Sequence, residues 1–146
     1  MNQQFEDKAI IEQQRMLKFA SKKDNVEVGK LSNKFCPVDC WMLSGASESF
    51  VEVKVREQYT STQIDNWGGA MLEFTKLSRI IEEEYNTPIL YFNFFKDCLR
   101  IYELNMDPTM YSWELKFLQK NDFTSEKVWK FVANLELKDC IEEVKL

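Results

Sequence analysis

The stretch Val38 to Arg56, VDCWMLSGASESFVEVKVR, constrains this chain more than any other. Its second half, Phe50 to Arg56, alternates strictly. Val51, Val53 and Val55 fall on one face, and Phe50, Glu52, Lys54 and Arg56 on the other, because strand side chains alternate with period two. The first half, Val38 to Leu43, is apolar except for Asp39. Between them Ser44 to Glu48 is small and polar, and Gly45 can take a positive φ. The segment therefore predicts a β-hairpin with a buried valine face. With the turn centred between Gly45 and Ala46, Asp39 lies opposite Glu52. Directly opposed residues have Cβ atoms roughly 4.5–5.5 Å apart, so two carboxylates there repel unless a cation sits between them. Mg²⁺, which prefers carboxylates, carbonyls and waters, suits the place. Asp39, Glu52 and the Val53 carbonyl can supply three ligands, with Lys54 beside a metal-bound water and an attacked phosphate. Two acids, a metal and a lysine suit phosphodiester hydrolysis.

Asp39 followed by Glu52-Val53-Lys54 inside a FVEVKVR strand resembles the PD-(D/E)xK nuclease superfamily. This is the fold of many restriction enzymes, Holliday-junction resolvases and small phage nucleases. The sequence departs from the named motif at Pro37-Val38-Asp39, where a residue separates Pro from Asp. The resemblance implies a restriction-endonuclease-like α/β fold, a central mixed β-sheet flanked by helices. It also implies a Mg²⁺- or Mn²⁺-dependent endonuclease acting on DNA, with Asp39 and Glu52 as metal ligands and Lys54 as the catalytic lysine. It covers about residues 5–104. Residues 105–146 form an extra C-terminal, β-rich segment within what reads as a single nuclease-like domain over 1–146.

An acid on the first helix points at the metal in many nucleases of this group. Asn2 to Lys22 reads as that helix, with Phe5, Ala9, Glu12, Met16 and Phe19 or Ala20 at helical spacing and Ile10 and Leu17 widening the stripe. Glu12 sits inside the stripe and is the matching acid; Glu6 is the alternative. Val26 to Lys30 predicts a first strand. Leu31 to Pro37 then leads to the hairpin and brings Lys34 near the site in sequence. After the hairpin, Ser61 or Thr62 caps a helix running to about Tyr85, weakened at Gly68-Gly69, where a break or a close backbone approach is expected. GAMLEFTKLSRI resembles the helix that follows the motif in small phage nucleases, whose lysine faces the site; Lys76 matches it. Gln63 corresponds to a polar residue at the start of that helix in some relatives.

Asn86-Thr87-Pro88 ends the helix. Ile89 to Phe95 (ILYFNFF) predicts a central buried strand, and Cys98 to Leu104 the next one. Ser112 to Leu118 and Lys127 to Leu137 alternate as strands, while the tail from Lys138 is ambiguous. Tyr111, Trp113, Phe117, Trp129 and Phe131 are candidates for an interface.

The chain has no histidine, which excludes Ser-His-Asp and Cys-His hydrolysis and leaves a carboxylate–lysine site untouched. Cys36, Cys40, Cys98 and Cys140 show no CxxC spacing, so reduced thiols in a cytoplasmic protein are expected rather than zinc ligands. A net charge of −5 argues against a nonspecific nucleic-acid coat protein. No run approaches the ~18 apolar residues of a membrane span. Cutting both strands of a duplex needs two active sites or two visits, which leaves a homodimer open. The competing expectation is a non-catalytic module that keeps the fold and binds nucleic acid or a protein.

Overall fold

The structure, a computed structural model, describes residues 3–31, 36–121 and 123–146, without the side chains of residues 5 and 6. Phe5, Glu6 and Lys34 of the sequence reading thus lie outside the described side chains. Helix α1 spans Gln3–Ser21 and contains neither glycine nor proline. Its inner line is Lys8, Glu12, Met16 and Phe19–Ala20. Ile10 and Leu17, expected to widen the buried stripe, are exposed instead, because only one row of this helix meets the sheet.

Strand β1 (Val26–Lys30), β2 (Cys40–Ser44) and β3 (Ser47–Arg56) form an antiparallel meander. The β2–β3 register pairs Ser44 with Ser47 and Cys40 with Val51. The connection is therefore the two-residue turn Gly45-Ala46. Gly45 has φ +62°, as a turn with glycine first requires. Trp41 lies flat on Gly29, where an added Cβ would come within 2.1 Å of the indole ring.

The single long helix expected after β3 is not formed. Helix α2 (Ser61–Asn66) ends at Gly68-Gly69, strand β4 (Ala70–Glu73) follows, and helix α3 (Phe74–Glu82) comes after it. The two glycines take φ +101° and +117°, which break a helix. Gly69 is also pressed against another strand: a Cβ there would stand 2.3 Å from Leu135 O. The cap of α2 is Thr60, not Ser61 or Thr62. Thr60 accepts from Gln63 N, and Gln63 Oε1 accepts from Thr60 N at 2.9 Å, a capping box.

Strand β5 (Ile89–Phe95) pairs in parallel with β3, and β6 (Cys98–Glu103) pairs antiparallel with β5. The ambiguous tail supplies β9 (Glu142–Lys145), which closes the far edge. The result is the expected central mixed sheet, six strands in the order β1-β2-β3-β5-β6-β9. Strands β7 (Trp113–Gln119) and β8 (Lys127–Leu135) make a hairpin that joins β4 in a second sheet, β4-β8-β7.

Both faces of the central sheet are covered. Met16 and Phe19 of α1 pack on Cys40, Met42, Val51, Val53, Phe92 and Phe94. On the other face Ile64, Leu72, Ile80 and Leu135 cover Ile89, Tyr91 and Tyr102. Strand β3 is therefore buried on both sides, and a polar residue on either face has to find a partner inside the protein.

Candidate active site

Glu52 is the residue that this architecture leaves most constrained. It is only 2% exposed, in the middle of β3. The ladder's register would set Asp39 across from it, but the ladder breaks one residue earlier. Asp39 N–H donates to Val51 O at 2.8 Å, and its Oδ2 accepts the Val53 N–H at 2.7 Å. The Asp39 carboxylate thus replaces a backbone carbonyl and brackets Glu52 from the neighbouring chain segment. Glu12 reaches the same place from α1. The three carboxyls run in a row, Glu12–Asp39–Glu52, with Asp39 within hydrogen-bonding reach of both others.

The electrostatics follow from crowding and burial. Burial raises the Glu52 carboxyl to about 8, helped by the hydrogen bond and the charge of Asp39, against the pull of Lys76 and Lys54. Burial also raises Asp39 and Glu12, each next to another acid. The Cys40 thiol is pushed to about 12 by burial and by the charges of Asp39, Glu52 and Glu12.

Two lysines face this row. Lys76 of α3 puts Nζ 2.7 Å from Glu52 Oε2 and donates to Pro37 O at 3.2 Å. The contact with Glu52 is an ion pair by distance without hydrogen-bond alignment, which leaves Oε2 buried and without a hydrogen-bond donor. Lys54, two residues beyond Glu52, forms no hydrogen bond or ion pair with the described residues. Burial lowers its pKa, with the nearby positive charge of Lys8 adding to the effect. Among the sequence candidates the structure therefore gathers Asp39, Glu52, Glu12, Lys54 and Lys76. Val53 lies in register with Phe92 of β5, while its N–H turns the other way, to Asp39. Gln63 stays apart, engaged in capping α2.

A small cavity of ≈ 110 Å³ opens on the α1 side of the acids, lined by Ala9, Glu12, Met16, Val28, Asp39 and Val53 among others. Among the described residues no three Asp, Glu, Cys or His side chains form a group that could hold a metal ion as they stand. The donors nonetheless fit a hard divalent cation in kind: they are carboxylates, and Glu52 Oε2 lacks a hydrogen bond. The cation now at that oxygen is the Lys76 ammonium.

Solved structures similar to this chain exist, one of them over most of its length. It is that of Archaeoglobus fulgidus Hjc, a Holliday junction resolvase from an archaeal hyperthermophile, with a TM-score of 0.48 and 13% identity over 83% of this chain and 86% of that chain. No family model and no curated protein matches the sequence.

The polar row on this sheet face extends further than the motif. Lys54 lies in register with Asn93, and Asn93 with Arg100. Arg56 Nη1 donates to Asn93 Oδ1 at 2.8 Å, while Asn93 Nδ2 is buried without an acceptor. Arg100, 2% exposed, pairs with Asp65 at 2.6 Å and Glu143 at 2.9 Å. The sequence signal for Asn93 is a lone amide inside the apolar run ILYFNFF. Arg100 is flagged in the same way, as a charge inside CLRIYEL. Neither partner set can be read without the register.

Proposed function

We propose that the chain is a divalent-metal-dependent endonuclease that hydrolyses DNA phosphodiesters, with residues 1–146 acting as one unit. The observation that carries this is the buried row Glu12–Asp39–Glu52 facing Lys54 and Lys76. Carboxyls kept together in a sheet centre at such a cost to their ionisation suit a cation-binding, phosphate-handling site. Asp39 and Glu52 would hold Mg²⁺ or Mn²⁺, with the Val53 carbonyl and Glu12 at its margin. Such an ion acidifies water and stabilises negative charge on a phosphate.

The protein's own groups have distinct parts. The Val53 N–H fixes the orientation of the Asp39 carboxylate. Lys76 neutralises Glu52 and moves off Oε2 when another cation takes its place. Lys54, without a partner among the described residues, is the group left to meet the substrate phosphate and orient the attacking water. Its lowered pKa brings it nearer the range in which a lysine can also exchange a proton. Asp39…Glu52-Val53-Lys54 and its resemblance to DNA-cutting enzymes support DNA as the substrate class.

The competing reading is a non-catalytic binding module. It is favoured by the Lys76 contacts with Glu52 and Pro37 O, which tie α3 to the hairpin as a structural pair would. The two readings separate when wild type, Lys54→Ala and Glu52→Gln are incubated with branched, nicked, linear and single-stranded DNA plus Mg²⁺ or Mn²⁺. Cleavage by wild type alone supports the nuclease. Binding without cleavage by all three supports the module.

A further inference from the structure

The β7–β8 hairpin carries an inverted pattern. Leu115, Phe117, Trp129 and Phe131 are 53%, 50%, 65% and 54% exposed. They are cross-strand neighbours, Leu115 opposite Phe131 and Phe117 opposite Trp129, with the last two rings 5.1 Å apart. Lys116 and Lys130 oppose each other on the other face, and Lys130 turns to Glu73 at 2.7 Å. The solvated side of the hairpin is thus the apolar one, the reverse of an ordinary surface hairpin. Strand β7 is also the open edge of its sheet, since among the described residues it pairs with β8 alone.

The edge sequence is self-complementary. Trp113-Glu114-Leu115-Lys116-Phe117 reads aromatic, acid, aliphatic, base, aromatic about its centre. We infer that β7 pairs antiparallel with β7 of a second copy of this chain, on a two-fold axis through Leu115. Leu115 then faces Leu115 of the second copy, Trp113 faces Phe117, and Glu114 faces Lys116 twice. Cross-strand opposite charges stabilise and like charges destabilise. A register centred on Glu114 would set the two glutamates face to face, and one centred on Lys116 the two lysines. A slip that pairs odd with even positions would join the apolar face of one copy to the charged face of the other. Among these registers, the one centred on Leu115 satisfies both faces. Proteins commonly guard an open edge with charge against such pairing. Here the charges are of opposite sign two positions apart, so they favour it. The joined sheets run β4-β8-β7-β7-β8-β4 and carry one continuous row of Phe131, Leu115, Leu115 and Phe131. This surface is independent of the proposed nuclease site.

The test is sedimentation equilibrium of the 146-residue chain without nucleic acid. Wild type should dimerise. Glu114→Lys and Lys116→Glu, each turning two attractive pairs into two repulsive ones, should weaken the dimer roughly tenfold. Mixing these two variants should give a heterodimer at least as tight as wild type, because every opposed pair is then complementary. The double swap, Glu114→Lys with Lys116→Glu, should restore self-association and thereby show that the single changes did not act through misfolding. A wild type that remains monomeric at every concentration, or a mixture no tighter than either variant alone, overturns the inference.

Discussion

Replacing Glu52 with glutamine should make the protein more stable near neutral pH and remove most of the pH dependence of that stability. The side chain is 2% exposed in a strand covered on both faces. Burial first, then the hydrogen bond and charge of Asp39, lift its carboxyl from 4.5 to about 8, with Lys76 and Lys54 pulling the other way. The unfolded chain releases this proton near pH 4.5, while the folded protein holds it until about pH 8. Between these values the folded state binds more protons, so stability falls as pH rises. The contribution is fully present below pH 4.5 and gone above about pH 8. At ~1.4 kcal/mol for each unit the ceiling is about 5 kcal/mol, and relaxation around the ionised group brings the observable loss to a few kcal/mol. Glutamine keeps the shape without the charge, so the variant's stability should stay nearly flat over the window. Lys76 keeps a neutral neighbour at this position, and its side chain is 26% exposed and can turn to water. The assay is urea unfolding of both proteins in chelator at about pH 5, 6.5 and 8. A wild type as stable at the top of this range as at the bottom, or a glutamine variant with the same slope, would refute the reasoning.

Further outcomes are expected at neighbouring residues. With metal saturating, Lys54→Ala should lower DNA cleavage by roughly 10²–10⁴-fold while calorimetry finds Mn²⁺ affinity intact; equal cleavage rates would remove Lys54 from the chemistry. Lys76→Met should raise Mn²⁺ affinity, because the ammonium 2.7 Å from Glu52 Oε2 no longer competes for that oxygen; unchanged binding would place the ion elsewhere. Gly69→Ala should cost about 2 kcal/mol or more by chemical denaturation, since a Cβ at φ +117° would meet Leu135 O at 2.3 Å; a negligible loss would mean that the turn rearranges.

Local periodicity carried much of the fold, and the reasons are visible in particular elements. The alternation of Val51, Val53 and Val55 and the apolar run from Ile89 to Phe95 place β3 and β5 because each strand's pattern is complete within itself. The break at Gly68-Gly69 was legible as a weak point but not as a strand. Strand β4 exists because β8 arrives from more than sixty residues later to pair Ala70 with Leu135, a non-local contact with no local signature. The tail became β9 for the same reason, by pairing with β6. Tyr111 and Trp113 stand among the late aromatics that suggest an interface, yet both pack against the core, because the chain before β7 folds back on it. At the site, Asp39, Glu52 and Lys54 are legible because the hairpin is local. The arrival of Lys76 depends on where α3 begins.

That arrival changes what each lysine can do. Lys54 sits on the same strand face as Glu52, which in sequence suggests an ion pair between them. Residues two apart on a strand can meet, as Glu143 and Lys145 do at 3.2 Å, but Lys54 makes no such ion pair with Glu52. Lys76 enters from a helix above that face, and its ammonium can meet the buried carboxylate end-on, at 2.7 Å. Glu52 thereby gains a counter-charge from another layer of the structure, and Lys54 remains unpaired among the described residues. An unpaired, partly desolvated lysine is unfavourable for the protein alone, since burial lowers its pKa. The cost is relieved when an anion docks beside it. A site that assigns one lysine to neutralise its acid and leaves another without a partner has the charge pattern suited to receiving a phosphate. Measuring DNA binding by Lys54→Ala and Lys76→Ala without metal tests this division. Lys54→Ala should bind more weakly than wild type. Lys76→Ala should keep most of the affinity and show its defect in stability. The reverse ranking would give Lys54 the structural role and Lys76 the phosphate.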